Sequence, residues 1–155
     1  MVGNYSAHNL PLDTQWSDID YLLDYRDFTY DPVRFKGLPE FVAGLHEKNM
    51  HYVPIIDAGL AQRTSIEANY TAFADGLDKD VFIKTEAGEV LTGQVWPDDA
   101  AFPDFFAENT TSWWHAWLTK LHDQVAFDGL WEDMNEASNF CTGICYADQA
   151  AKSPV

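Results

Sequence analysis

Apolar residues along this chain come in two patterns: short runs that stop near an aspartate, and longer stretches that repeat every three to four positions. Leu10-Pro11-Leu12-Asp13-Thr14-Gln15-Trp16 reads as a first strand, with Asp18 just past its end. After a polar stretch, Leu38, Phe41, Val42 and Leu45 fall at i, i+3, i+4 and i+7, which predicts a helix with one apolar face and Pro39 near its start. Tyr52-Val53-Pro54-Ile55-Ile56 predicts a second strand that stops at Asp57. A long stretch then separates Asp57 from the next helix. Within it, Val81-Phe82-Ile83 and Val90-Leu91 flank Glu86-Ala87-Gly88-Glu89 and read as a hairpin. Trp114, Trp117, Leu118, Leu121 and Val125 form the buried stripe of a helix running from near Ser112 to near Val125, capped by Thr111 or Ser112. Residues 127–131 predict a third strand, followed by a loop.

Strands alternating with helices predict an α/β fold with a parallel sheet, here a partial (β/α)₈ barrel with a long βα loop carrying a hairpin. Parallel strands share one C-terminal edge. Asp18, Asp57 and Asp133 each lie at or just past such a strand end, so they are expected to project toward one face. Carboxylates gathered at the mouth of a parallel barrel are an active-site arrangement. The 155 residues suffice for one core but not for a whole barrel, which takes roughly 250. The expectation is therefore that residues 1–155 are a fragment of the catalytic barrel with about three strands, including the one that carries Asp133.

A hydrophobic content of 46% and an aromatic content of 15% indicate a globular chain. The net charge of −16 argues against nucleic acid and against an anionic membrane surface. No stretch approaches the roughly 20 continuous apolar residues of a membrane span. The first residues lack the basic and apolar blocks of a signal peptide, so any leader is expected upstream. Cys141 and Cys145 read either as two unrelated small residues or as a local disulfide, and their spacing is poor for zinc. Asn4, Asn69 and Asn109 begin glycosylation sequons. With the cysteine pair, they point to the secretory pathway, lysosomal or extracellular. His46, His51, His115 and His122 show no shared metal spacing.

The segment Gly129-Leu130-Trp131-Glu132-Asp133-Met134-Asn135-Glu136 resembles, position for position, the signature of glycoside hydrolase family 31, whose common members are α-glucosidases. The resemblance implies that Asp133 is the catalytic nucleophile, with Trp131 and Met134 in the pocket wall and Glu136 orienting the loop. It continues in Gln15-Trp16-Ser17-Asp18-Ile19-Asp20-Tyr21 with Asp27-Phe28-Thr29, in Tyr52-Val53-Pro54-Ile55-Ile56-Asp57 and in Val95-Trp96-Pro97. By resemblance Asp18 bonds sugar hydroxyls, Ile19 and Ile55 line the sugar, Asp57 supports the pocket, and Trp96 stacks on substrate. The residues alone leave Asp18 as either a sugar ligand or a helix cap, and Asp57 as either a direct contact or a support. The implied activity is a retaining exo-α-glucosidase acting on terminal α-linked glucose, with an α-glucoside as partner and neither cofactor nor metal.

Ala58 and Ala137 stand where the family often has proline. The family's acid/base aspartate lies well downstream of the nucleophile and is expected beyond Val155, so the lone chain is expected to be inactive and prone to aggregate. A chitinase-like barrel shares Asp128-Gly129 but needs an aspartate where Trp131 stands and a glutamate where Asn135 stands. The remaining alternative is a truncated non-catalytic paralogue, a sugar-binding relic.

Overall fold

The computed structural model describes residues 1–62 and 70–141. A short helix, α1 (Val2–Ala7), precedes β1 (Thr14–Ser17), and a single 3₁₀ turn follows at Ile19–Tyr21. Next come α2 (Leu38–His46), β2 (His51–Asp57), β3 (Leu60–Ala61), α3 (Ala72–Asp78), β4 (Thr92–Val95), β5 (Asp98–Ala101), α4 (Thr110–His122) and β6 (Trp131–Asp133).

Two sheets are present. One is parallel, in the order β1-β2-β6. Its register runs from Thr14↔His51 to Ser17↔Pro54 on one side of β2, and from Ile55↔Trp131 to Asp57↔Asp133 on the other. The other is a small antiparallel sheet in the order β3-β5-β4, inserted between β2 and α4. Gly59 permits the close approach of the two, since a Cβ there would lie 2.3 Å from a Val95 methyl. The architecture is that of a partial (β/α)₈ barrel whose second βα loop carries an antiparallel excursion.

Two cores hold the parallel sheet. Leu38, Val42 and Leu45 of α2 pack with Tyr52 and Ile55 of β2 and with Tyr21, Leu22 and Val125. Trp113 and Trp117 of α4 pack with Ile56, Phe28 and Phe82; Trp113 meets both phenylalanine rings edge to face, and Trp117 meets Phe28 tilted. An apolar strand sandwiched between helices in this way needs a near-continuous hydrophobic run, which β2 supplies.

Several expectations are corrected. The first strand is Thr14–Ser17 and the third is Trp131–Asp133, so the third begins where it was expected to end. Residues 127–130 approach the sheet instead as a connector, with the Asp128 N–H bonded to the Tyr52 carbonyl. The stretch after Asp57 contains α3, and its principal strands are β3, β4 and β5. The expected hairpin survives as a tight turn, with Lys84 bridged to Val90 and Leu91 N–H bonded to the Ile83 carbonyl. On α4 the buried stripe is Thr110, Trp113, Trp117 and Leu121, while Trp114 and Leu118 are half-buried. Asn109 caps α4 in place of Thr111 or Ser112, and the Ser112 hydroxyl donates back to the Asn109 carbonyl. On α2, Phe41 faces solvent.

Removing Leu45 leaves a cavity under α2, whereas removing Phe41 leaves none. Leu45→Ala should cost about 2–5 kcal/mol in denaturant unfolding and Phe41→Ala less than about 0.5 kcal/mol.

Candidate active site

Side chains alternate across a strand, so residues two apart share a face. Trp16 and Asp18, Ile55 and Asp57, and Trp131 and Asp133 are such pairs on three adjacent strands; Ile55 lies level with Trp131, whereas Trp16 lies level with Val53. The register sets Asp57 directly beside Asp133. Asp18 follows β1 by one residue. The three carboxylates expected at one edge are therefore brought together there, and their fields overlap. Burial pushes the Asp57 carboxyl up to about 6, with the charges of Asp133 and then Asp18 adding to the effect.

The three groups are not equivalent. Asp133 is exposed and stands at the open mouth of the sheet. Asp57 is only 6% exposed, and its Oδ1 is buried without a hydrogen-bond partner among the described residues. Asp18 is exposed and also caps the 3₁₀ turn, its Oδ1 accepting the Ile19 N–H at 2.7 Å. Both alternatives for Asp18 thus have footing: one oxygen is engaged as a cap, which leaves the other for a ligand.

Aromatic residues flank the carboxylates on two sides. Trp16 and Trp131 meet edge to face at 6.0 Å, and Trp16 is 52% exposed. Across the mouth, the Trp96 Nε1–H donates to the Met134 sulfur at 3.0 Å, and the Trp96 ring meets Phe140 edge to face at 5.0 Å. Trp96, 44% exposed, sits in the turn between β4 and β5. Met134 packs against Val95, Ala100 and Phe102, which couples the antiparallel sheet to the residue following Asp133. Its backbone is left-handed, with φ of 58°, a strained conformation of the kind that collects at functional sites. Asn139 anchors the same loop, its side-chain oxygen accepting the Gln94 N–H at 2.9 Å. The Glu136–Ala137 peptide is cis.

Ile55 is buried under the sheet edge and Ile19 is half-buried beside it. Glu136 is exposed in the loop. Cys141 is disulfide-bonded; Cys145 and Asn69 lie outside the described residues. A cleft of about 280 Å³ adjoins Trp96, lined also by Asp24, Tyr25, Arg26 and Pro97. A second cleft, of about 360 Å³, lies between α1 and the start of α2 and holds none of the carboxylates. Among the described residues no cluster of His, Cys, Asp and Glu is placed to hold a metal ion. No helix among them is long and apolar enough to cross a membrane.

Two residues of the site escaped the sequence reading. Trp16 is one, although its place two residues before Asp18 on a strand was a sufficient signal. Asp27 is the other. It is 1% exposed, and its Oδ1 accepts the Asp57 N–H at 3.3 Å. Burial, and then the charge of Asp57, push its carboxyl well above the usual range.

The chain's sequence and fold are shared with proteins of known family. All 155 residues match the glycosyl hydrolases family 31 TIM-barrel domain. The chain belongs to glycoside hydrolase family 31. It is 40% identical to glucoamylase 1 of Candida albicans over 100% of its own length and 17% of that protein. It is 42% identical to the lysosomal alpha-glucosidase of Bos taurus over 92% of its length and 15% of that protein. The crystal structure of a DNJ-bound glucosidase II alpha subunit superposes with a TM-score of 0.82 at 27% identity, over 91% of this chain and 15% of that one. The chain thus spans about a sixth of the length of the family 31 relatives it matches.

Asp57 carries a stability signature. Its folded value of about 6 exceeds an unfolded aspartate's, about 3.9, so folding binds the proton more tightly. The stabilisation is complete below about pH 4 and is lost as pH rises through about 6. Asp57→Asn should abolish this dependence, and between pH 4 and 7 the unmodified protein should lose about 2 kcal/mol relative to the variant in denaturant titrations.

Proposed function

We propose that this chain is the nucleophile-bearing part of the barrel of a retaining exo-α-glucosidase, with Asp133 as nucleophile. The placement of Asp133 carries the reading. It is the one site carboxylate that is both exposed and held rigidly in a paired strand, beside a neighbour whose burial favours its neutral form. Family membership and the α-glucosidases among the relatives support it.

In the first step an Asp133 oxygen attacks the anomeric carbon of a terminal α-linked glucose. The glycosidic C–O bond breaks, and the leaving oxygen takes a proton from a second carboxyl group, giving a β-glucosyl ester. In the second step water, deprotonated by the same group, displaces Asp133 and releases the sugar with its original anomeric configuration. We assign that second carboxyl to a part of the parent protein other than this segment, together with the strands that complete the barrel. No cofactor or metal takes part.

The pocket residues follow from the chemistry of a sugar, which offers apolar C–H faces and hydroxyl edges. Trp96, Trp131 and Met134 provide the apolar wall, with Ile19 and Ile55 beneath the ring. Asp18 accepts from hydroxyls, and the unpartnered Asp57 Oδ1 supports the pocket as a buried acceptor. Glu136 shapes the loop after Asp133. The disulfide at Cys141, the exposed sequon asparagines Asn4 and Asn109, and the lysosomal relative support a location in the secretory pathway.

Asp133→Ala in the parent protein should lower kcat/KM for an aryl α-glucoside by on the order of 10⁴-fold or more. Added azide should restore turnover by entering the vacated face, yielding the β-glucosyl azide. A variant that keeps its activity would refute Asp133 as nucleophile. A parent protein that binds glucosides but turns none over would instead be a sugar-binding relic.

A further inference from the structure

The last residues of β2 lack a strand neighbour on the β1 side. The β1 ladder ends at Ser17↔Pro54, three residues before Asp57, whereas the β6 ladder covers Ile55 to Asp57 on the other side. In a parallel ladder one residue of the neighbouring strand donates its N–H to a carbonyl at position i and accepts the N–H at i+2. On the uncovered edge of β2 those two groups are the Ile55 carbonyl and the Asp57 N–H. Both are taken by side chains: the Tyr21 hydroxyl donates to the Ile55 carbonyl at 2.8 Å, and Asp27 Oδ1 accepts the Asp57 N–H at 3.3 Å.

We propose that Tyr21 and Asp27 together replace the missing β1 residue, and that Asp27 is the positioning residue that holds the Asp57 carboxyl against Asp133. The inference rests on the reading of Asp133 as the site's nucleophile.

The segment that presents Asp27 is built to hold it. The Thr29 hydroxyl accepts the Leu23 N–H at 3.1 Å and donates to the Arg26 carbonyl at 2.6 Å. The Arg26 N–H bonds the Leu23 carbonyl at 3.1 Å, and the Asp31 N–H bonds the Tyr21 carbonyl at 2.8 Å. Asp24, Tyr25 and Phe28 all adopt left-handed φ, between 50° and 62°, in this stretch. That is a costly turn, sustained by the bonds around it. The guanidinium of Arg26 is engaged by Asp24 at 2.8 Å and lies over the Tyr70 ring at 5.6 Å. Asp27 faces Asp57 from β2, Tyr21 from the 3₁₀ turn and Tyr70 from the approach to α3, while Asp57 faces Asp133 and Asp18. Burial and the charge of Asp57 favour the neutral form of Asp27, and an amide of the same shape keeps the oxygen that accepts the Asp57 N–H.

The test uses the parent protein. Asp27→Asn keeps the acceptor; Asp27→Leu removes it. The leucine variant should lower kcat at least tenfold with KM changed less than threefold, and displace the limb of the pH–rate profile that Asp57 sets. The asparagine variant should hold kcat and that limb within threefold of the unmodified enzyme. Hydrogen exchange at the Asp57 amide should quicken at least tenfold in Asp27→Leu and stay protected in Asp27→Asn, a readout independent of turnover. Tyr21→Phe, which preserves the packing, should quicken exchange at the same strand end should Asp27→Leu fail to fold. Unchanged Asp57 exchange in both Asp27→Leu and Tyr21→Phe overturns the proposal. So does an equal loss of kcat in both Asp27 variants with the pH limb in place, which marks Asp27 as merely structural. An unmodified parent without glucosidase activity overturns the nucleophile reading instead, and the exchange data then judge the strand-end role alone.

Discussion

Everything at this site depends on β2 lying between β1 and β6 in a parallel register that sets Asp57 beside Asp133. A shift of one residue would turn every side chain of β2 to the opposite face and exchange Asp57 for Ile56 at the mouth. The two hydrophobic cores resist such a slip. Tyr52 and Ile55 are held in one core with α2, and Ile56 in the other among Trp113, Trp117 and Phe28. Packing far from the chemistry thus fixes which carboxylates meet. Burial, and then the charges of Asp133 and Asp18, raise the Asp57 carboxyl to about 6.

The antiparallel excursion is the second determinant. It leaves β2 immediately after the site and returns before α4, carrying Trp96 at its tip turn. Through Trp96–Met134 and the Met134 contacts with Val95, Ala100 and Phe102, it braces the residue next to Asp133. A strained Met134 backbone needs such bracing, and so the excursion holds the loop that follows Asp133.

The family and the parallel strands were more legible in the sequence than the excursion. An apolar run that stops at an aspartate reads correctly as a strand end, because burial on both faces demands hydrophobic continuity and only the mouth tolerates a charge. That logic located Asp57, and the Trp-Glu-Asp-Met-Asn-Glu motif singled out Asp133 and identified the family. The excursion was harder. β5 is Asp98-Asp99-Ala100-Ala101, residues with little intrinsic strand preference, and it forms because Ala100 and Ala101 pack closely beneath Phe102 and Leu60. α3 has only seven residues, with Gly76 and two acidic positions among them, too short to show a stripe. On α4 the stripe was right at Trp117, Leu121 and Val125, but Trp113 rather than Trp114 is the fully buried indole. Asp27 looked like one more acidic turn residue; only the early end of β1 gives it a task.

The most direct test of the central claim is to treat the active parent enzyme with a cyclitol epoxide that labels α-glucosidase nucleophiles, then map the modified peptide by mass spectrometry. The account predicts one label per chain, as an ester on Asp133, with Asp18 and Asp57 unmodified. A label on Asp57, or on any carboxylate outside β6, would contradict it.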